Sequence, residues 1–140
     1  MKTKVLECLN IWGSILSGSI GYYLGGWDIL LKAILIFMIL DFLTGWLKAI
    51  FYKKLSSEVG AKGIIKKVVV FMIIGLANML QKMLGENIPL RETVIMFYCI
   101  NEILSIIENA ACFVPIPGKL RRTLKQLQDE YIKEDEKNQN

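Results

Sequence analysis

Residues 35–57 read LIFMILDFLTGWLKAIFYKKLSS. The run is apolar around a single carboxylate, Asp41, until Lys48, Lys53 and Lys54 arrive. About 20 mainly apolar residues, rising ~1.5 Å each, cross the ~30 Å of a bilayer core. Residues 29–51 meet that requirement, so they predict a membrane-spanning helix. Trp27 and Trp46 lie about 28 Å apart along such a helix, and tryptophans favour the two membrane–water interfaces. Asp41 then sits about 7.5 Å inside the second interface. A lone acid there needs a partner or access to water. Thr44 or a neighbouring helix would supply the hydrogen bond, which makes Asp41 polar glue between helices.

The rest of the chain follows the same pattern. It has 140 residues, is 54% hydrophobic and carries 17 Lys+Arg against 13 Asp+Glu. The charges cluster between long apolar runs, and mean hydropathy is +0.43. Three further segments predict spans: about 5–25, 64–84 and 93–114. The third span has an uninterrupted apolar core of only Val68–Leu80, so Lys66 and Lys67 would have to snorkel outward. Glu7 and Asn10 interrupt the first segment, and no small-residue cleavage site follows, so it reads as an uncleaved anchor rather than a signal peptide. Lysines and arginines gather before span one, between spans two and three, and after span four. That bias places both termini and the middle loop in the cytoplasm. The expectation is an all-α integral membrane protein with about four transmembrane helices in residues 1–114, and a charged cytoplasmic tail in 115–140.

Composition also excludes chemistry. The chain has no histidine, so a His-based general base or zinc site is ruled out. Cys8, Cys99 and Cys112 are odd in number and have no C-x-x-C spacing, which reads as small buried residues. No nucleophile–base pair is visible. No catalytic residue, metal or cofactor is expected. The basic loop lacks interleaved aromatics, so no nucleic acid is expected either.

Two helical faces stand out. Gly13, Ser17, Gly21 and Gly25 recur at steps of four in span one, a small-residue ridge that lets another backbone approach. It serves either packing within the chain or contact between protomers. In span four, Asn101, Glu102, Ser105, Glu108 and Asn109 form one polar stripe. Such a stripe cannot face lipid cheaply. A network with Lys48 or another basic group, a wet lumen or oligomer seam, and a proton or ion pathway all remain open.

One further feature is the order of short motifs. Asp41-Phe-Leu-Thr44-Gly45 is followed by Lys53-Lys-Leu-Ser56-Ser57 and then by Gly60-x-x-Gly63-Ile-x-Lys66-Lys67. With the elbow Val114-Pro-Ile-Pro-Gly-Lys-Leu120, this order resembles the phage-lysis and toxin-secretion holin family over about residues 29–135. The resemblance implies a non-enzymatic homo-oligomer in the bacterial inner membrane. It would open pores or lesions through which an endolysin or large toxin passes, with no cofactor and no partner beyond lipid and itself. A small membrane scaffold or accessory subunit, and an ion- or proton-conducting channel using Glu102 and Glu108, are the competing classes. The tail predicts a short amphipathic helix with an apolar seam at Leu120, Leu124, Leu127 and Tyr131. It would be solvated, bundled with other protomers, or engaged in a regulatory contact.

Overall fold

The computed structural model describes residues 2–54, 56–85 and 87–137. Leu55 of the loop motif and the last three residues of the predicted tail lie outside the described residues. Within them the chain is all-helical: α1 (Lys2–Leu24), α2 (Ile29–Phe51), α3 (Ser57–Leu84), α4 (Leu90–Ala110) and α5 (Gly118–Lys137).

The bounds of α2 follow from its caps. Asp28 sits in extended backbone, and its carboxylate accepts the Leu31 N–H at 2.9 Å, satisfying one of the free donors of the first turn. At the other end Lys53 adopts φ 53°, and Lys54 N–H returns to the Ala49 carbonyl at 2.9 Å. That left-handed turn closes the last carbonyls. Helix α3 starts earlier than the predicted 64, because Glu58 suits a helix N-terminus and pairs with Lys62 at 2.8 Å. Lys62, Lys66 and Lys67, expected in or beside a loop, therefore lie on the helix.

Helix α4 is the axis of the fold. It packs against α2, α3 and α5, while α1 packs on α3. Leu24, Leu31, Ile34, Met38, Val70, Ile74, Ile95 and Cys99 form the core, drawn from the end of α1 and the facing stripes of α2, α3 and α4. The outward faces are as apolar as the inside: Ile36, Ile39, Leu43 and Leu47 of α2 and Ile65, Val68, Met72 and Leu76 of α3 are all exposed. A water-soluble bundle would place polar residues there.

Among the described residues two helices are long and apolar enough to cross a membrane: α2, and α3 over Gly60–Leu84. Helix α1 is diluted by glycines, serines and tyrosines. Helix α4 carries Arg91, Glu92, Glu102 and Glu108.

Helix α1 meets the bundle through its last turn. Residues 3–20 are all exposed, whereas Gly21 and Leu24 are buried. Tyr23 Oη donates to the Met72 carbonyl at 3.0 Å, and the Tyr23 ring lies over Gly75. The expected ridge is broken. Gly25 lies past the helix at φ +86°, so it is not a member of the helical face. There it admits Arg91 and Asn78, whose side chains would lie 2.5–2.6 Å from any Cβ. Trp27 already covers Gly21, 2.6 Å from where a Cβ would stand. Gly13, with nothing within 4 Å, and the exposed Ser17 are left of the ridge; Gly18 beside them is equally open.

Helix α5 folds back along α4. Leu124, Gln128 and Tyr131 are half-buried on one face. Leu120 and Leu127, expected in the same seam, are exposed at 47% and 39%. The polar stripe of α4 draws the helix round, so a seam read from leucines alone is rotated.

Candidate functional site, a balanced charge cluster between three helices

Asp41 of α2, Lys67 of α3 and Glu102 of α4 meet near the middle of their helices. Lys67 Nζ lies 2.8 Å from Asp41 Oδ2 and 2.5 Å from Glu102 Oε2. Glu102 is buried at 2% exposure, and the other two side chains are mostly covered. The expected outward snorkel of Lys67 does not occur. A backbone so close to two buried acids offers the ammonium a better partner than the surface does.

Asn109 of α4 extends the network. Its Nδ2 donates to Asp41 Oδ1 at 3.3 Å and to Thr44 Oγ1 at 3.4 Å, while its Oδ1 accepts from Lys48 Nζ at 3.4 Å. Thr44 Oγ1 is within donating distance of the carbonyls of Leu40 and Asp41. Two cations and two carboxylates thus cancel within one patch. The basic partner of Glu102 is Lys67; Lys48 reaches Asn109 instead.

Beside this cluster lies a cavity of about 280 Å³. Its lining includes Asp41, Gly45, Ser56, Gly60, Gly63 and Lys67, together with Ser105 and Asn109. Those first six come from three separate short motifs, and the fold gathers them on one space. Thr44 joins through Asn109. Ser57 and Lys66 are exposed and take no part in the lining. The other stripe residues turn to α5: Asn101 accepts from Gln128, and Glu108 accepts from Arg121 Nη2 at 3.0 Å.

The opposite end holds a second cluster, centred on Arg91 of α4. Arg91 is 3% exposed. Its Nε donates to the Leu24 carbonyl at 2.5 Å, and its two terminal nitrogens fork onto Asp28 at 2.7 and 3.2 Å. Further contacts reach Glu92 Oε1 and the Gly26 carbonyl, both at 3.4 Å. Asn78 Nδ2 donates to the Tyr23 carbonyl at 2.8 Å, and Gln81 Oε1 accepts the Arg91 backbone N–H at 2.8 Å. Asp28 therefore caps α2 and pairs with α4 at once. The Arg91 fork holds its carboxyl below the usual aspartate range, and the Leu31 N–H acts in the same direction. The available signal was the pairing of an arginine at the start of one apolar segment with an aspartate at the start of another.

Neither cluster carries a nucleophile beside a base, and no group of three or more candidate metal ligands occurs among the described residues. What both can do is fix helices against one another. In the first the charges are matched inside the chain; in the second Arg91 faces two carboxylates, Asp28 and Glu92, and Glu92 Oε2 is buried with no hydrogen-bond partner among the described residues.

Comparison with known proteins gives a consistent result. Residues 18–129 match the bacteriophage holin family. An uncharacterized 14.9 kDa protein in the nagH 3′ region of Clostridium perfringens is 41% identical over 119 residues, covering 83% of this chain and 90% of the relative. A probable holin of Bacillus phage phi105 is 30% identical over 132 residues, covering 94% of this chain and 92% of the relative. No solved structure matches.

Proposed function

The chain belongs to the bacteriophage holin family, and from that premise we propose that it crosses the bacterial cytoplasmic membrane four times and assembles with copies of itself into lesions. An endolysin or a large toxin leaves through them. Residues 1–114 form the membrane domain and residues 115–140 the cytoplasmic tail. Both termini and the α2–α3 loop face the cytoplasm. The Arg91 cluster supports this orientation: with Arg91 neutralised by Asp28, the outer end carries few free cations, while Lys53, Lys54 and the start of α5 remain basic.

The observation that carries the proposal is the inverted distribution of polarity. The buried charges Lys67, Glu102 and Arg91 are all paired inside the bundle, and residues 3–20 of α1 stand free of it. Paired charges let the bundle sit in lipid, and a helical stretch that touches no other helix of its own chain is available to a neighbouring protomer.

The test uses purified protein in energised vesicles loaded with a small dye and a protein-sized dextran. Release of both is the expected result. Release of ions alone would establish a channel instead, and release of nothing would establish a scaffold. Cysteines placed at Lys54 and at Gly118 should both be shielded from an impermeant thiol reagent added outside. Labelling of Gly118→Cys alone would remove the four-span topology.

The ridge makes a separate prediction. Because Gly21 already packs under Trp27 within the chain, Gly13 is the cleaner probe of contact between protomers. Gly13→Leu should shorten the ladder of crosslinked oligomers and delay release, since the new side chain meets nothing in its own chain but keeps a second backbone away. A ladder and a release time equal to wild type would mean that this face meets lipid.

A further inference from the structure

We infer that α5 is a releasable cover over Asn101 and Glu108, the part of the α4 stripe that α2 and α3 leave open, and that this part becomes available to a second copy of the chain when α5 leaves. The inference rests on the assembly reading above.

The register of the two helices is antiparallel. Arg121 meets Glu108; seven residues further along α5, Gln128 meets Asn101, seven residues back along α4. Leu124 and Tyr131 lie on the same face of α5 and are half-buried. Asn101 and Glu108 are stripe residues of α4 that α2 and α3 leave unsatisfied. In the isolated chain α5 satisfies them.

That arrangement conflicts with a lipid-surrounded α4. Asn101 is nine residues from the end of α4 at Ala110, about 13 Å along the axis. A helix docked there carries Lys125, Asp129, Glu130 and Lys133, all exposed, to the depth of the hydrocarbon. Charges facing lipid at that depth are strongly disfavoured. Docking of α5 and full insertion of the second half of α4 are therefore alternatives. Once α5 has gone, Asn101 and Glu108 need another polar partner. The same stripe on a neighbouring protomer has the matching donors and acceptors.

The contact is built for release. The Arg121–Glu108 pair is exposed on both sides at 53% and 49%, and such pairs contribute little. The elbow between the helices, with Pro115 and Pro117, encloses a void of about 200 Å³ bordered by Ile107, Ala111 and Ile116.

Asn101 and Gln128 touch directly, so their positions give the test. In a chain with Cys8→Ser, Cys99→Ala and Cys112→Ser, Asn101→Cys and Gln128→Cys are bridged by a short bis-maleimide with a reducible spacer. The full chain is then placed in the vesicles described above. The bridged protein should run as a monomer after amine crosslinking and release no dextran. Cleaving the spacer should restore both the ladder and the release. A ladder from the bridged protein would overturn the cover and leave the assembly reading intact. No ladder before or after cleavage would overturn the assembly reading and the cover with it. Restoration of the ladder without release would support the cover and reject the lesion.

A second comparison needs no reagent. Arg121→Glu sets like charges against Glu108 and should bring release forward several-fold in time. The swap Glu108→Arg with Arg121→Glu should return it toward wild type. Equal onset times in all three proteins would overturn the cover.

Discussion

Replacing Lys67 with Met is expected to destabilise the bundle by about 3–5 kcal/mol, the usual effect of removing one partner from a buried ion pair. Asp41 and Glu102 would then face each other across a space that excludes most water, with only Lys48 nearby through Asn109. Asp41→Asn is the mild counterpart. It leaves Lys67 paired with Glu102 and keeps hydrogen bonding to Asn109 and Lys67. Hydrogen bonds between membrane helices average about 0.6 kcal/mol, so the folded protomer should survive with altered timing. Asp41→Leu should fall between the two. The combination Lys67→Met, Asp41→Asn and Glu102→Gln removes all three charges together and should recover much of the loss. Unfolding in mixed detergent, followed by helicity, gives the ranking. Lys67→Met as stable as Asp41→Asn would refute a structural ion cluster.

A loss is also expected for Arg91→Met, smaller than for Lys67→Met because the Asp28 carboxylate left behind is 42% exposed and can rehydrate. The change strands the carbonyls of Leu24 and Gly26 and the carboxylate of Asp28. Arg91→Lys should rescue it poorly, because one ammonium cannot fork onto Asp28 while also reaching Leu24. The readout specific to this cluster is proteolysis at Gly25–Gly26, which should accelerate when α1 loses its anchor.

A pH dependence follows as well. The Asp28 carboxyl titrates below its ordinary range in the folded chain. Its contribution to stability is complete above the ordinary aspartate pKa and is lost as pH falls through the lower, folded value. Acidification should therefore speed cleavage in wild type and have a smaller effect in Arg91→Met. Equal acid sensitivity in the two proteins would remove Asp28–Arg91 from the account.

The helical fold was legible where one element decides itself. Residues 29–51 were bounded by composition alone, and α2 covers Ile29–Phe51 because its caps, Asp28 and the Lys53 turn, are local. Asp41 plainly required a partner, yet that partner lies 26 residues further on, and the second acid lies 35 residues from it in turn. A lysine near the end of an apolar run reads the same whether it bends outward or inward; the tertiary packing of α2 and α4 decides. Gly25 kept the four-residue step of the ridge while leaving the helix, since a period says nothing about a positive φ. Arg91 was hidden by convention: cations near loops are read for orientation, and their hydrogen-bond fork is invisible without the Leu24 carbonyl opposite. The tail seam failed because leucine spacing was weighed and the pull of Asn101 and Glu108 was not.

The Arg91 clamp sets an order on biosynthesis. A ribosome makes α1 and α2 before the residue that ties them together, because Arg91 stands 67 residues beyond the Leu24 carbonyl it holds. Until α3 has turned the chain back, the two leading helices are joined by the Gly25–Gly26 turn and by Trp27, whose ring covers Gly21. Chains arrested before Arg91 hold α1 through Tyr23, on Met72 and Asn78 of α3; chains that extend past it add the fork on Leu24 and Asp28.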